Sequence, residues 1–318
     1  MYQPEMPLEI AARAGGAAAR TRQRLDALSA DSAARQAWSH LKALNPPVTL
    51  RESAAERLTY WSYIEVEAVL ALGKPRSPVP DERVFIVFHQ IVELLFSLII
   101  HELEQIAVAG VGRAPILKAK LPRVILHFDL AVRMTGALAR VIERESFLAF
   151  RNALAPASAF QSFQYRKIEL LCGRLHDLIP AEQRARLAHE NRTHVLFEHL
   201  YWRKALGPRQ PGERTTLSDF EQRYLKDLRR VAADHRGRTL AELFRALPPA
   251  QRDSDLVRLL RQLDRVANEV WPHVHFQLAK TFLPADQAGT GGTQWQKYLS
   301  TSRASIRFFP ELHVRAHV

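Results

Sequence analysis

Residues 84–100 read VFIVFHQIVELLFSLII, the most apolar run of the chain, and this stretch indicates how the protein folds. The run is marginal in length for a membrane span, and His89 and Glu93 stand in its middle, where ionisable groups would be costly in lipid. We therefore interpret it as a buried core helix. The acidic pair at residues 81–82 suits its N-terminal cap and first turn, and we expect the helix to reach about Val111.

Apolar residues recur at helical spacing through most of the remaining chain, whereas alternating, strand-like runs are scarce and no repeat period emerges. The sequence therefore predicts an all-α fold. No linker resembles a domain boundary, so we expect a single domain over residues 1–318, with an N-terminal helical arm at 1–55 and a helical core at 56–318. The other predicted helices are Ile10 to Ala43 (one helix or a pair), Thr59 to Leu72, Arg123 to Leu148, Phe160 to Asp177, Glu182 to Ala205, Leu217 to Ala233, Thr239 to Leu247 and Ser254 to Leu283.

The composition is that of an ordinary globular protein, with 47% hydrophobic and 25% charged residues among 318. The single cysteine, Cys172, allows no internal disulfide, which fits a reducing compartment. The start of the chain does not resemble a signal peptide, so we expect a cytoplasmic protein without a membrane anchor. The net charge is +12, but the arginines alternate with acids and form no block, so nucleic acid is not an expected partner.

Motifs of several common enzyme classes are missing from the sequence. There is no GxGxxG after a strand, no GxxxxGK[ST], no HExxH and no GxSxG. The ExxH pairs of di-iron helical bundles are also absent. The remaining candidates for chemistry are histidines on apolar helices.

Three histidines lie in apolar surroundings. His89 lies inside the 84–100 run, where a core histidine bonded to a carbonyl is the commoner role. His273 and His275 lie in EVWPHVHFQLAKTF (269–282) and point about 200° apart on a helix, so at most one faces a given pocket. A neutral imidazole among apolar groups suits an axial iron ligand, although on spacing alone a structural histidine is the commoner outcome. The residues on the side of His275 are Trp271, Leu278, Ala279 and Phe282.

Two further segments could bind an anionic group. Gly289-Thr290-Gly291-Gly292-Thr293 offers backbone N–H groups and hydroxyls that could wrap a carboxylate or phosphate, or it is a plain connection. Arg166 stands among aromatic residues in FQSFQYRKIE (160–169). Its guanidinium could bind a substrate carboxylate through two hydrogen bonds, or it could pair with an acid in a purely structural role.

Taken together and in this order, these stretches resemble the tryptophan 2,3-dioxygenase family. The FQSxQYR, GTGG and FFPEL pieces are fairly specific in combination, whereas residues 1–55 and 174–265 match poorly. The matching pieces are LTYWSY (58–63), VFIVFHQ (84–90), EL (93–94), HEL (101–103), FRN (150–152), SAFQSFQYRKIE (158–169), WPHVH (271–275), GTGG (289–292) and RFFPEL (307–312).

The resemblance implies a haem b cofactor with His275 as the proximal iron ligand and His89 as the distal histidine, near the indole N–H of the substrate. It implies that O2 is the co-substrate and that opening the indole 2,3 bond of L-tryptophan gives N-formylkynurenine. The family assembles as a homotetramer, so we expect a homo-oligomer, either tetramer or dimer. The implied substrate contacts are Phe85 against the indole, Arg166 at the carboxylate, Thr290 at the ammonium and carboxylate end, and Tyr60, Tyr63 and Ile64 from a neighbouring subunit.

The chain also departs from the family pattern. LPADQA (283–288) replaces a basic Gly-Phe-Lys-Arg stretch before the GTGG loop, and Ala155 and Ala159 replace glycines. Pro272 replaces an arginine three residues before the expected iron ligand, where it kinks or starts the helix. We expect these changes to affect the identity of the substrate more than the binding of haem. Two alternatives therefore stay open: a haem-dependent oxygenase that hydroxylates another indole or a phenol, and a non-enzymatic helical binding protein.

Overall fold

The computed structural model describes residues 59–158, 161–204, 215–284, 289 and 306–313. Within these residues every regular element is helical, so the predicted all-α fold is confirmed. The predicted N-terminal helix and the arm at 1–55 lie outside the described residues, and a single domain over the whole chain stays a prediction. The α-helices are α1 (Tyr60–Tyr63), α2 (Val66–Leu70), α3 (Pro80–Ala109), α4 (Ala114–Val141), α5 (Arg144–Leu154), α6 (Phe163–Cys172), α7 (Ala181–Arg184), α8 (Thr193–Glu198), α9 (Tyr201–Lys204), α10 (Thr216–Asp234), α11 (Leu240–Ala246), α12 (Ser254–Arg265) and α13 (Trp271–Phe282).

Helix α3 is the predicted long apolar helix. It begins at Pro80, whose fixed φ suits the first turn, and it ends before Gly110, which adopts a positive φ of 77°. One face is buried in the core, while apolar residues such as Leu94 and Leu98 on another face are exposed. By length and composition alone α3 could also cross a membrane.

Several predicted helices are divided in the structure. The prediction of one helix over 123–148 is wrong, because the extended backbone of Ile142 separates α4 from α5. The predicted helix over 59–72 breaks at Glu65, which adopts the left-handed conformation. The predicted helix over 182–205 is replaced by the short helices α7, α8 and α9. The apolar pattern alone does not reveal such breaks, because the residues on both sides remain good helix formers.

The predicted helix over 254–283 contains an irregular turn ahead of His275. Helix α12 passes into a π-helical turn at Val266–Val270, and α13 restarts at Trp271 with Pro272 in its first turn. The expectation that Pro272 kinks or starts the helix is thus confirmed. The buried carboxylate of Asp264 accepts hydrogen bonds from Asn268 and from the backbone of Phe308, which ties the FFPEL segment to this turn.

Helix α4 is the centre of the packing, since it contacts α3, α12 and α13. The main core cluster includes Phe96, Phe128 and Trp271, and a second cluster is built around Leu138 and Leu278.

Candidate active site

A cavity of about 480 Å³ is lined by members of both core clusters. Its apolar walls come from α3, α4 and α13, and most of its polar groups come from residues 158–166, ahead of and within α6. Such an apolar cavity with a few polar groups is typical of a small-molecule site. The residues that line it include Phe88, His89, Val92, Glu93, Phe96, Met134, Thr135, Leu138, Ser158, Gln161, Gln164, Tyr165, Arg166, Trp271, His275 and Leu278.

His89 enters this cavity from α3. Its Nδ1 lies 2.7 Å from the carbonyl oxygen of Phe85, one turn earlier. A carbonyl only accepts hydrogen bonds, so Nδ1 carries the proton and the neutral ring keeps Nε2 as an acceptor. Burial lowers the pKa of His89 below its ordinary 6.5, and the hydrogen bond to Phe85 and the charge of Glu93 offset this effect only in part. His89 is therefore a neutral hydrogen-bond acceptor at pH 7.

His275 lines the same cavity from α13. Its ring stacks on that of Trp271, with centroids 6.2 Å apart and planes inclined by 26°. His273 on the same helix is exposed and is not among the described residues that line the cavity, as expected if at most one of the two histidines faces a given pocket. The described residues hold no group of three or more metal-ligating side chains. An imidazole beside apolar walls fits a haem ligand.

Arg166 also lines the cavity, but its charge is already balanced. One guanidinium nitrogen donates to Glu169 at 2.8 Å and to the hydroxyl of Tyr201 at 2.6 Å. Tyr201 in turn donates to Glu169 at 2.5 Å, and all three side chains are buried. Of the two interpretations of Arg166 from sequence, the structure favours pairing with an acid. The hydrogen bonds of Arg166 to Glu169 and to Tyr201 both use the same guanidinium nitrogen, Nη1.

Comparison with known proteins places the chain in a family. A family model described as tryptophan 2,3-dioxygenase matches residues 47–242. A tryptophan 2,3-dioxygenase of Herpetosiphon aurantiacus is 30% identical over 276 residues, which cover 81% of this chain and 97% of the relative. One from Anaeromyxobacter dehalogenans is 31% identical over 272 residues, or 80% of this chain and 94% of the relative. The chain belongs to the tryptophan 2,3-dioxygenase family.

The remaining residues implied by the tryptophan 2,3-dioxygenase resemblance lie away from the cavity or outside the described residues. Phe85 packs beside His89, with ring centroids 4.1 Å apart, and is not among the described residues that line the cavity. Tyr60 and Tyr63 of α1 are 75% and 73% exposed, and Ile64 comes next at 40%. None of these three lines the cavity of its own chain within the described ranges. Thr290 lies outside the described residues.

Sequence reasoning missed the role of Gln164. Its amide donates to the backbone oxygen of Glu93 at 2.8 Å and to the Glu93 carboxylate at 3.0 Å, joining α6 to α3 across the cavity wall. The signal was present, since Gln164 belongs to the FQSFQYR piece that carries the family resemblance, but the charge of Arg166 made that residue the more obvious candidate. Gln161 and Ser158 add further polar atoms to the lining.

The one cysteine of the chain, Cys172, is not placed to act as a thiolate ligand in the cavity. Cys172 is fully buried and is not among the described residues lining the cavity. Burial raises the pKa of its thiol, and the carboxylates of Asp264 and Glu169 raise it further. Cys172 is therefore a small core residue, as expected for a buried free cysteine.

Proposed function

We propose that this member of the family is a haem-dependent dioxygenase that inserts both atoms of O2 across the indole 2,3 bond of L-tryptophan or a close analogue. One observation carries the proposal: His89 and His275, from helices far apart in sequence, line the same apolar cavity. One histidine serves as the iron ligand and the other remains to meet the substrate.

His275 would hold the haem iron in this proposal. Trp271 and Leu278 flank it on α13 and line the same cavity, so a flat macrocycle would meet apolar surface beside its axial ligand. The bound haem would supply the iron centre that activates O2. The chain would supply an imidazole ligand for the iron and the surroundings that keep water away from the reacting atoms.

His89 would accept a hydrogen bond from the indole N–H. Its Nδ1 proton is committed to the carbonyl of Phe85, so Nε2 is the nitrogen left to accept. The lowered pKa of His89 keeps that nitrogen unprotonated at neutral pH. A fixed acceptor restricts the orientation of the indole ring, and this is how an enzyme converts a chance encounter into a reactive arrangement.

The amino-acid end of the substrate would be held mainly by hydrogen bonding. The family resemblance assigns Thr290 to this end, and Ser158 and Gln161 add polar groups to the cavity lining. Because Arg166 is neutralised by Glu169, we assign Arg166 to shaping this wall and not to anchoring the carboxylate. The resemblance also assigns Phe85 to the indole, which from its present position requires the ring to turn toward the cavity.

A homo-oligomer, tetramer or dimer, is part of the proposal. Helix α1 presents Tyr60, Trp61 and Tyr63 to solvent, an unusual concentration of exposed aromatic surface. Covering this surface with a second copy would bury it, and would bring Tyr60, Tyr63 and Ile64 to the neighbouring chain's cavity as the resemblance implies. We place the assembled enzyme in the cytoplasm.

The pairing of Arg166 favours one second candidate, a haem-dependent oxygenase or hydroxylase of an indole or phenol that lacks a carboxylate. The two functions differ in how many oxygen atoms enter the product. Incubation with L-tryptophan under 18O2 should give a product heavier than tryptophan by two labelled oxygen atoms. Incorporation of one atom, or turnover of indole without turnover of tryptophan, would support the second candidate instead.

A further inference from the structure

We propose that the hydroxyl of Tyr165 replaces a backbone donor that Pro272 cannot supply, and so holds the turn that positions His275. Tyr165 is thus a positioning residue paired with Pro272, a position at which this chain departs from the family pattern. The inference rests on the proposed function at one point, which is the role of His275 as the iron ligand. The hydrogen bonding itself stands on the described contacts alone.

The π-helical turn at Val266–Val270 shifts the backbone hydrogen bonds by one residue. The N–H of Trp271 donates to the carbonyl of Val266, five residues back, and not to that of Ala267, four residues back. In the shifted pattern the donor for the Ala267 carbonyl would be residue 272. That residue is proline, which has no N–H. In the observed turn, therefore, neither residue 271 nor residue 272 supplies the Ala267 carbonyl with a backbone donor.

Tyr165 supplies the missing donor from another helix. Its hydroxyl donates to the carbonyl oxygen of Ala267 at 2.9 Å, a buried contact that spans 102 residues of sequence. The ring is only 4% exposed and packs against Phe96 at 5.4 Å and Trp271 at 6.2 Å between centroids. A buried carbonyl without a donor is costly, so this hydroxyl stabilises the turn in its observed form.

The turn matters because it leads directly into the helix that carries His275. Trp271 is the first residue of α13, and its ring stacks on that of His275 one turn later. A change in the register of the turn would rotate α13 and move His275 relative to the cavity. Irregular turns of this kind often occur at functional sites. Tyr165 thereby links the cavity wall on α6 to the orientation of His275.

A double-mutant cycle tests the pairing. We expect Tyr165→Phe to lower the ratio of folded to unfolded protein about tenfold in denaturant titration, because Ala267 loses its donor. Pro272→Ala adds the missing donor, because in the observed π pattern the N–H of residue 272 reaches the carbonyl of Ala267. In the Pro272→Ala background the cost of Tyr165→Phe should therefore shrink to less than about twofold.

Tyr201→Phe is the matched control, since it removes a buried hydroxyl that bonds Glu169 and does not contact the turn. Its cost should be the same in both backgrounds. An equal cost of Tyr165→Phe in both backgrounds would overturn the proposal. Should Tyr165→Phe fail to fold, the proposal requires that Tyr165→Phe/Pro272→Ala folds, and an equally unfolded double variant would overturn it.

A second readout concerns the haem. In protein loaded with haem, Tyr165→Phe should speed haem transfer to excess apomyoglobin several-fold, and Pro272→Ala should suppress that increase. If the chain takes up no haem at all, the proposed function fails while the folding cycle remains interpretable. If the double-mutant cycle gives the expected stabilities but the rate of haem transfer does not change, the proposed positioning of His275 is contradicted.

Discussion

Two parts of the cavity wall behave differently although both come from apolar helices. The histidine wall, formed by His89 and His275, places one imidazole from α3 and one from α13 on the same cavity. In the arginine wall, formed by Arg166, Glu169 and Tyr201, the three side chains are joined by hydrogen bonds of 2.5–2.8 Å. In the proposed function the first wall serves the cofactor and the substrate, while the second mainly stabilises the fold. The comparison therefore ties the proposed haem site to the histidine wall and leaves the carboxylate of the substrate to other groups.

The largest effect is expected at the histidine wall. His275→Ala removes the only protein ligand that we assign to the iron, so haem uptake and activity should both be lost. His273→Ala is the matched control, because His273 is exposed two residues away on the same helix. The measurement is the Soret absorbance after purification with added haem. A normal Soret band in His275→Ala would contradict the assignment of the haem to the histidine wall.

Arg166→Met should mainly affect stability. It leaves the Glu169 carboxylate buried without its cation, and such a loss costs about 3–5 kcal/mol of the free energy of unfolding. Replacing the cluster together, as Arg166→Met/Glu169→Leu/Tyr201→Phe, should recover much of that loss. The KM values for tryptophan and for tryptamine, which lacks the carboxylate, should change alike. A selective rise in the KM for tryptophan would instead assign Arg166 to the carboxylate.

His89→Ala should leave haem binding intact and lower turnover. Losing one oriented hydrogen bond to the substrate costs about 1–3 kcal/mol, so we expect kcat/KM to fall roughly 10- to 100-fold. The check is steady-state kinetics on variant protein with a confirmed Soret band. Loss of haem from His89→Ala would show that the roles of the two histidines are not divided as we propose.

Helix α1 offers a smaller effect. Tyr60→Ala/Tyr63→Ala should weaken self-association and lower activity about tenfold, because exposed aromatic residues are frequent anchors of interfaces. Sedimentation velocity measures the assembly, and Val141→Ala provides an exposed apolar control on α4. Unchanged sedimentation together with unchanged activity would contradict the proposal that α1 reaches the cavity of a neighbouring subunit.

The smallest effect is the dependence on pH. Burial holds the pKa of His89 in the folded protein below the value near 6.5 of the unfolded chain. As pH falls below 6.5 the unfolded chain binds its proton first, so the contribution of His89 to stability is complete above 6.5 and declines below it. Activity should stay level from pH 8 to 7 and fall only as pH passes the lower pKa of the folded state. A residual activity of His89→Asn that shows the same acid limb would assign that limb to another group.

The family resemblance singled out His89 and His275, which helix spacing alone did not distinguish from structural histidines, and the structure places both on one cavity. The sequence also contained a signal for the arginine wall, since Glu169 lies three residues after Arg166 and shares its face. It could not show Tyr201, which meets Arg166 only through tertiary packing. The sequence also did not reveal the π-helical turn. Pro272 predicts an irregular helix, but only the structure shows that the Ala267 carbonyl accepts its hydrogen bond from Tyr165.

The absorption spectrum of the reduced, haem-loaded protein with and without L-tryptophan tests the central claim most directly. The claim is that one cavity holds both haem, through His275, and an indole substrate beside His89. We predict a Soret band that shifts when L-tryptophan is added, because the substrate enters the pocket next to the iron. A protein that takes up no haem, or a Soret band unchanged by saturating L-tryptophan, would contradict this claim.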